Sequence, residues 1–296
     1  MKILLTGANG FLGKHIVEAF KGNFQIATLS RNEANYSISL DKEVPDFLET
    51  FDLVIHAAGK AHSIPRTTEE KDEFYKVNVL GTLNLLRGLE KSGMPKQFVF
   101  ISSVSVYGQE TGTHIKESSN LSAEDPYGLS KIKAEKIIAE WCKTNNIVCT
   151  ILRLPLLVGK NPPGNLGAML KGIKKGYYFN IDGGKARKSM VLAKDVAVFI
   201  RQSASYGGIY NLTDTKHPSF SELSFAISGK ESRNMPLSIA NVIGKVGDYI
   251  GNKSPITTSK VKKITSDLTF DDSKAKELLN WKPESVVEYL SKEKLL

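Results

Sequence analysis

The chain has 296 residues, 41% hydrophobic and 24% charged, with a formal net charge of +9. That length buries roughly three quarters of the unfolded surface, room for one large domain or two lobes. No apolar run approaches the ~18 residues of a membrane span; two cysteines without CxxC spacing argue for a reduced cytosolic compartment; and five histidines without HxxxH or HExxH spacing leave no metal site.

The chain opens with "KILLT" (2–6), which reads as a buried strand, and the stretch Ile3 to Gly7 is too short for a signal-peptide core. "FLGKHIVEAF" (11–20) has helical spacing, and between the two "TGANGFLG" sets Gly7, Gly10 and Gly13 three residues apart. A strand, a glycine turn and a helix let the backbone approach a pyrophosphate closely. The helix N-terminus then supplies free N–H groups and a positive dipole end. Gly7, Asn9, Gly10, Phe11, Leu12 and Gly13 are the first cofactor candidates.

"FQIATLS" (24–30) is the second strand, and its end selects the dinucleotide. A carboxylate there would hold the ribose 2′-OH of NAD. This chain has Ser30 and Arg31. A guanidinium without a carboxylate suits a 2′-phosphate, so NADP(H) is expected over NAD(H). Glu33 is close enough that a register error of two or three residues would reverse that choice.

"FDLVIHAAG" (51–59) is a third strand, "EFYKVNVLGTLNLLRGLEKSG" (73–93) one helix, and "KQFVFISS" (96–103) a fourth strand. "FVFISSVSVYG" (98–108) reads as an apolar strand whose end carries hydroxyls to the C-terminal edge of the sheet, where doubly wound sheets bind ligands. "PYGLSKIKAEKIIAEWCKTN" (126–145) is a helix and "IVCTILRL" (147–154) a strand. The alternation predicts an α/β Rossmann fold, a doubly wound parallel sheet with helices on both faces.

Tyr127 and Lys131 stand four residues apart and share a helix face. A free tyrosine has a pKa of ~10, too high for efficient proton exchange near neutrality. An ammonium about 4 Å away, worth roughly 4 kcal/mol at an effective dielectric of ~20, would lower it by up to ~3 units.

After Pro155 come a turn-rich stretch, a helix near 165–174, short strands near 177–181 and 187–192, a helix from about 194, a strand over 207–214 and a mostly helical, Lys-rich remainder. The expected division is a cofactor domain over 1–160, joined by about 190–213, and a smaller, partly interleaved substrate lobe over 161–189 and 214–296. The lysine excess reads as a solvated basic surface or as attraction for an anionic small molecule such as a nucleotide diphosphate. No nucleic-acid motif accompanies it.

"TGANGFLG", "HAAG" (56–59), "VNVLGTLNLL" (77–86), "FVFISSVSVYG", "PYGLSK" and "DDSKAKELLNW" together resemble the extended short-chain dehydrogenase/reductase family, in its order and over nearly the whole chain. The resemblance implies Tyr127 as proton donor or acceptor, and Lys131 lowering its pKa and holding the ribose. It places Ser103, four residues before Tyr107, on the reacting oxygen, with Ser105 beside it on the substrate. It adds Ala57, Ala58, Gly59 and Asn78 to the cofactor set. Asn78 also reads as a helix-packing amide.

Dehydratases of the family carry an Asp–Glu pair where this chain has Val104 and Ser105, which argues against dehydration. "GNL" (164–166) and "RKSMVLAKDVA" (187–197) resemble UDP-sugar-binding stretches, implicating Asn165, Arg187 and Lys188 in substrate binding. Leu156 replaces an asparagine of UDP-galactose 4-epimerases. The expectation is therefore NADP(H)-dependent reduction of the C4 keto group of a UDP-linked deoxyhexose, with or without an N-acetyl group, in surface-polysaccharide precursor synthesis. An NAD-retaining 4-epimerase is the alternative, and a non-catalytic NADP(H) sensor is one of another class. The helices at 73–93 and 126–145 carry apolar positions beyond what one sheet face needs, among them Ile137, Ile138 and Trp141. Together with the family's habit, this predicts a cytoplasmic homodimer without membrane insertion.

Overall fold

A computed structural model of the chain describes every residue except 62–64, 252, 253, 255 and 294–296. The first half alternates β1 (Lys2–Thr6), α1 (Phe11–Phe20), β2 (Gln25–Ser30), β3 (Tyr36–Ser37), β4 (Leu53–His56), α2 (Thr68–Tyr75), α3 (Gly81–Ser92), β5 (Gln97–Ser103), β6 (Gly112–Ile115), α4 (Pro126–Thr144) and β7 (Val148–Leu154). The second half follows with β8 (Leu156–Val158), α5 (Gly164–Lys174), β9 (Asn180–Ile181), β10 (Met190–Leu192), α6 (Ala193–Ser203), β11 (Gly208–Asn211), α7 (Phe220–Ser228), β12 (Asn234–Met235), α8 (Leu237–Ile250), α9 (Thr258–Thr265), β13 (Leu268–Phe270), α10 (Ser273–Leu279) and α11 (Val286–Glu293).

Seven strands form one sheet in the order β11-β7-β5-β4-β1-β2-β3, and every pairing is parallel. The order turns at β1: the chain leaves toward β2 and β3, then crosses back to β4 on the other side. The carboxyl ends of β1 and β4 mark this switch point, and doubly wound sheets hold ligands in the crevice outside it.

The period-two alternation of the strands feeds two cores. Ile3, Leu5 and Ile55 face Leu12, Ile16, Phe20, Phe199 and Ile200 of α1 and α6. Leu4, Val54, Phe98 and Phe100 face Leu85, Leu89, Ile138 and Cys142 of α3 and α4. Ile137 and Trp141 pack partly buried against this second core, and Trp141 donates its indole N–H to Glu90 at 2.8 Å. These residues, which prompted the dimer expectation, thus have partners within the chain.

Two departures from the expected elements bear on the site. The helix expected over 73–93 is broken by a π-helical turn at Lys76–Leu80, between α2 and α3. Such turns often mark functional sites, and this one holds Asn78. The strand ending in the hydroxyl run stops at Ser103, and Val104–Tyr107 coil into a short 3₁₀ turn. A separate cluster buries Val158, Met190, Leu192, Leu223, Val286 and Leu290; three of these six lie in stretches expected to belong to the cofactor domain.

Candidate active site

The glycine turn lies at the crevice. Gly7 has φ +74°, and a Cβ there would lie 2.7 Å from the backbone N of Ala58; a Cβ on Gly13 would lie 2.1 Å from the carbonyl oxygen of Gly7. Only glycine permits this closeness, which presses the turn against Ala57 and Ala58. Gly10 caps α1 without a side-chain bond to the first-turn N–H groups, those of Phe11, Leu12 and Gly13. This cradle fits a dinucleotide pyrophosphate. Asn9 donates to the backbone oxygen of Asn32 at 2.8 Å, tying the turn to the loop after β2. There Ser30 ends the strand and Arg31 is exposed, in no ion pair with any described residue. Glu33 is also exposed, with φ +52°.

A buried histidine stiffens the opposite wall. His56 Nδ1 lies 2.7 Å from Thr6 Oγ1, and Nε2 lies 3.0 Å from Thr82 Oγ1. Thr82 gives its single hydroxyl proton to the Asn78 carbonyl at 2.7 Å, so Nε2–H donates to Thr82. Nδ1 then accepts from Thr6, which in turn accepts the Ala58 N–H at 3.1 Å. Burial first, and then the charge of Lys131, pushes His56 down to about 3, keeping it neutral. The chain thereby fixes "HAAG" against β1.

Asp125 starts α4 by accepting the N–H groups of Tyr127 and Gly128 at 3.1 and 3.0 Å, with Pro126 in the first turn. The helix is thus anchored at its N-terminal end, where Gly128 lets it pass close to the Ser105 carbonyl. Tyr127 and Lys131 share one face. Lys131 Nζ donates to the Ile101 carbonyl at 2.9 Å and sits 4.7 Å from the Phe100 ring centroid. A Cβ on Gly59 would lie 3.3 Å from Nζ and 3.1 Å from Asn78 Oδ1, so the end of β4, the π turn and α4 converge. Ser103 donates to Ser105 Oγ at 3.1 Å and lies near enough to the Tyr127 hydroxyl to draw its pKa down.

The expected depression of the tyrosine is corrected here. Burial pushes the Tyr127 hydroxyl up; the Ser103 hydrogen bond pulls it down and Asp125 raises it, with a net upward shift. Lys131 is not among the groups that lower it; burial holds Lys131 itself at about 8, against the opposing pull of Glu135. Its ammonium faces a carbonyl and a ring rather than the phenol. Asn78 is similarly occupied: Oδ1 accepts the Lys60 N–H at 2.7 Å, while Nδ2 donates to the Lys60 oxygen and to Ser130 Oγ at 3.1 and 2.8 Å. The packing role read for it is the one its amide fills, joining the loop after β4 to α4.

Sequence reasoning passed over Glu135, one turn beyond Lys131. It closes a two-pronged ion pair with Arg153, at 3.1 Å from Nε to Oε1 and 2.7 Å from Nη2 to Oε2. Both side chains are at most 4% exposed. Glu135 also accepts from Ser102 at 2.5 Å, and Arg153 donates to Tyr107 at 3.1 Å and to the Glu117 carbonyl at 3.0 Å. Tyr107 in turn donates to Asn211 at 2.8 Å. The signal was the Tyr127–Lys131–Glu135 spacing, which sets three polar groups on one face of α4, the last two of them buried.

The three substrate candidates sit in different surroundings. Asn165 is exposed in the first turn of α5. Arg187 is engaged locally, donating to the His217 carbonyl at 3.0 Å and pairing with Glu222 at 3.4 Å. Lys188 is half-buried and in no ion pair with a described residue; burial lowers its pKa, Asp267 raises it and Lys263 lowers it further. An under-compensated ammonium of this kind suits an incoming anion.

Among the described residues no cluster could hold a metal ion and no helix is long and apolar enough to cross a membrane. A profile of the family described as "NAD dependent epimerase/dehydratase family" matches residues 3–212. The chain is 27% identical, over 92% of its length and 88% of the relative's, to the N-acetyl-alpha-D-glucosaminyl-diphospho-ditrans,octacis-undecaprenol 4-epimerase of Escherichia coli O157:H7. It is 29% identical to a UDP-glucose 4-epimerase of Vibrio cholerae, over 95% of this chain and 90% of that one. The structure of RMD from Pseudomonas aeruginosa complexed with NADPH superimposes with a TM-score of 0.75 at 21% identity, covering 100% of this chain and 98% of the other, a likeness of fold.

Proposed function

The chain belongs to the NAD dependent epimerase/dehydratase family, and from that premise we propose that it exchanges hydride and proton at C4 of a hexose carried on a diphosphate, UDP foremost, for surface polysaccharide. The observation that carries this reading is the meeting of Ser103, Tyr127 and Lys131 beside Gly59 at the sheet's C-terminal edge. Tyr127 gives or takes the proton of the C4 oxygen, Ser103 holds that oxygen with Ser105 behind it, and Lys131 supplies positive charge and a ribose contact. The cradle from Gly7 to Gly13, with Ala57, Ala58 and Gly59, holds the dinucleotide. A nicotinamide bound there supplies hydride exchange. Lys188 is the chain's diphosphate ligand and Asn165 its nucleoside ligand; Arg187 assists through the loop it braces.

Epimerisation is the first reading, because the two relatives matched over nearly their full length are 4-epimerases. One of them acts on a sugar held by undecaprenyl diphosphate, so the carrier beyond the diphosphate is either a nucleoside or a lipid. Net reduction of a 4-keto sugar by NADP(H) is the second reading, favoured by Ser30 and the unpaired, exposed Arg31. Two free cysteines, Cys142 and Cys149, support placing the reaction in the cytoplasm. A homodimer through α3 and α4 rests on the family resemblance and is tested by the mass in light scattering.

The deciding experiment follows UDP-N-acetylglucosamine and a UDP-4-keto sugar by proton NMR, with NADPH absorbance read in parallel. Inversion at C4 without net NADPH loss establishes the epimerase. Loss of NADPH matched to product establishes the reductase. NADP(H) binding with neither change removes both, leaving the sensor reading.

A further inference from the structure

Helix α8 turns small residues inward and large apolar ones outward. Ala240, Gly244 and Gly247 are its buried positions, packed so tightly that a Cβ on Gly247 would lie 1.8 Å from the Ile256 carbonyl oxygen. Ile239, Val242, Val246, Tyr249 and Ile250 are 52%, 62%, 56%, 98% and 61% exposed. At about 100° per residue these five fall within one arc of about 100°, the width of a stripe made to be buried. The chain's own packing against α8 uses the small-residue side, so the arc has no cover within the described chain.

The surroundings indicate what covers it. Residues 237–265 contain five lysines and one aspartate, and that aspartate, Asp248, is bonded to Thr258 across the α8–α9 hairpin. Lys245 borders the apolar arc, and α9 adds Lys262, with Lys263 beside it paired to Glu110 at 2.8 Å. Packing the arc against a second copy would bring two lysine-rich surfaces together in a chain of net charge +9. An anionic bilayer satisfies both features, the apolar arc entering the headgroup boundary and the lysines meeting lipid phosphates. Position agrees with this. Just beyond α9, Asp267 accepts the Arg187 N–H at 2.7 Å and Leu268 pairs with Lys188. The hairpin therefore leads straight into the loop assigned to the diphosphate.

We propose that α8 is an interfacial docking helix that seats the protein on an anionic bilayer, where the diphosphate loop meets a sugar diphosphate carried by a lipid. The choice of carrier rests on the diphosphate-sugar reading above; the docking itself does not.

The test is co-sedimentation of the full chain with vesicles of phosphatidylcholine alone and with about a third phosphatidylglycerol. Binding to the anionic vesicles is expected to be at least about tenfold tighter and to weaken with salt. The double variant Val242→Glu, Val246→Glu should reduce it about tenfold or more, leaving turnover of a soluble UDP-sugar unchanged. Both positions are exposed, and circular dichroism checks the fold. The proposal is overturned if the wild type stays in the supernatant with anionic vesicles, if the double variant binds as well as wild type, or if its mass in light scattering halves, which would assign the arc to a second copy. Binding without turnover of any sugar diphosphate removes the catalytic reading alone; turnover without binding removes the docking alone.

Discussion

Lys131 donates from Nζ to the carbonyl oxygen of Ile101 at 2.9 Å, reaching from α4 onto β5 two residues before Ser103. The bond ties the helix that carries Tyr127 to the strand that carries its hydroxyl partner. Its cost is the enclosure of an ammonium. Burial holds Lys131 at about 8, against an ordinary 10.5. Between those values the folded protein binds fewer protons than the unfolded chain, so this group's contribution to stability rises with pH across that window, and below it the full penalty stands. Lys131→Met should abolish turnover. It should also remove that penalty, so that the variant's stability relative to wild type declines by on the order of 3 kcal/mol between about pH 7 and 11. Urea unfolding of the two proteins at both pH values measures it; a pH-independent difference would mean that Lys131 does not titrate as stated.

Glu135 and Arg153 form the polar pin beneath this arrangement. Removing one member leaves the other charged and buried, which costs about 3–5 kcal/mol, whereas replacing both with apolar residues of similar volume is often close to neutral. Glu135→Met and Arg153→Met should each be strongly destabilising in denaturant, and the double variant far less so than their sum. Additive losses would show that the two side chains act independently.

Much of this was legible in the sequence for physical reasons. Strand–glycine–helix order and period-two alternation between two cores are local properties, and they located the sheet, the cradle and the Tyr127–Lys131 face. What was not legible depended on long-range packing. Helical periodicity does not reveal the π turn at Asn78, because a single inserted residue preserves most of the apolar spacing. The Glu135–Arg153 pair joins α4 to β7, and nothing in either segment names its partner. The raised Tyr127 pKa arises because folding encloses lysine and tyrosine alike, which pair spacing on an isolated helix cannot register.

Tyr127→Phe retains the ring, which lies 6.0 Å from that of Phe74, and removes only the proton. Turnover should fall by about 10² to 10⁴, the usual worth of general acid–base catalysis, while cofactor affinity stays nearly constant. Because burial raises the hydroxyl and lowers Lys131 to about 8, wild-type activity should decline as pH rises past the lysine's pKa and its charge is lost. A variant keeping a tenth of wild-type turnover would remove Tyr127 from the chemistry, and a flat profile through that range would show that the reaction does not use the Lys131 charge.

Arg31 decides between the two net reactions. It stands exposed after β2, in the loop that Asn9 ties to the glycine turn at 2.8 Å. A charge-assisted contact to a 2′-phosphate contributes roughly 1.5–3 kcal/mol, so Arg31→Ala should weaken NADPH by about 10- to 150-fold. NADH, without that phosphate, should be nearly unaffected, and Ser30→Asp should shift preference the same way by adding repulsion. Isothermal titration with both cofactors reads the pattern directly. Equal wild-type affinity for the two, or equal loss in Arg31→Ala, would show that Arg31 holds no phosphate. The reductase reading would then lose its one supporting observation, leaving epimerisation, in which the dinucleotide is regenerated every cycle and the choice between NAD and NADP carries no metabolic direction.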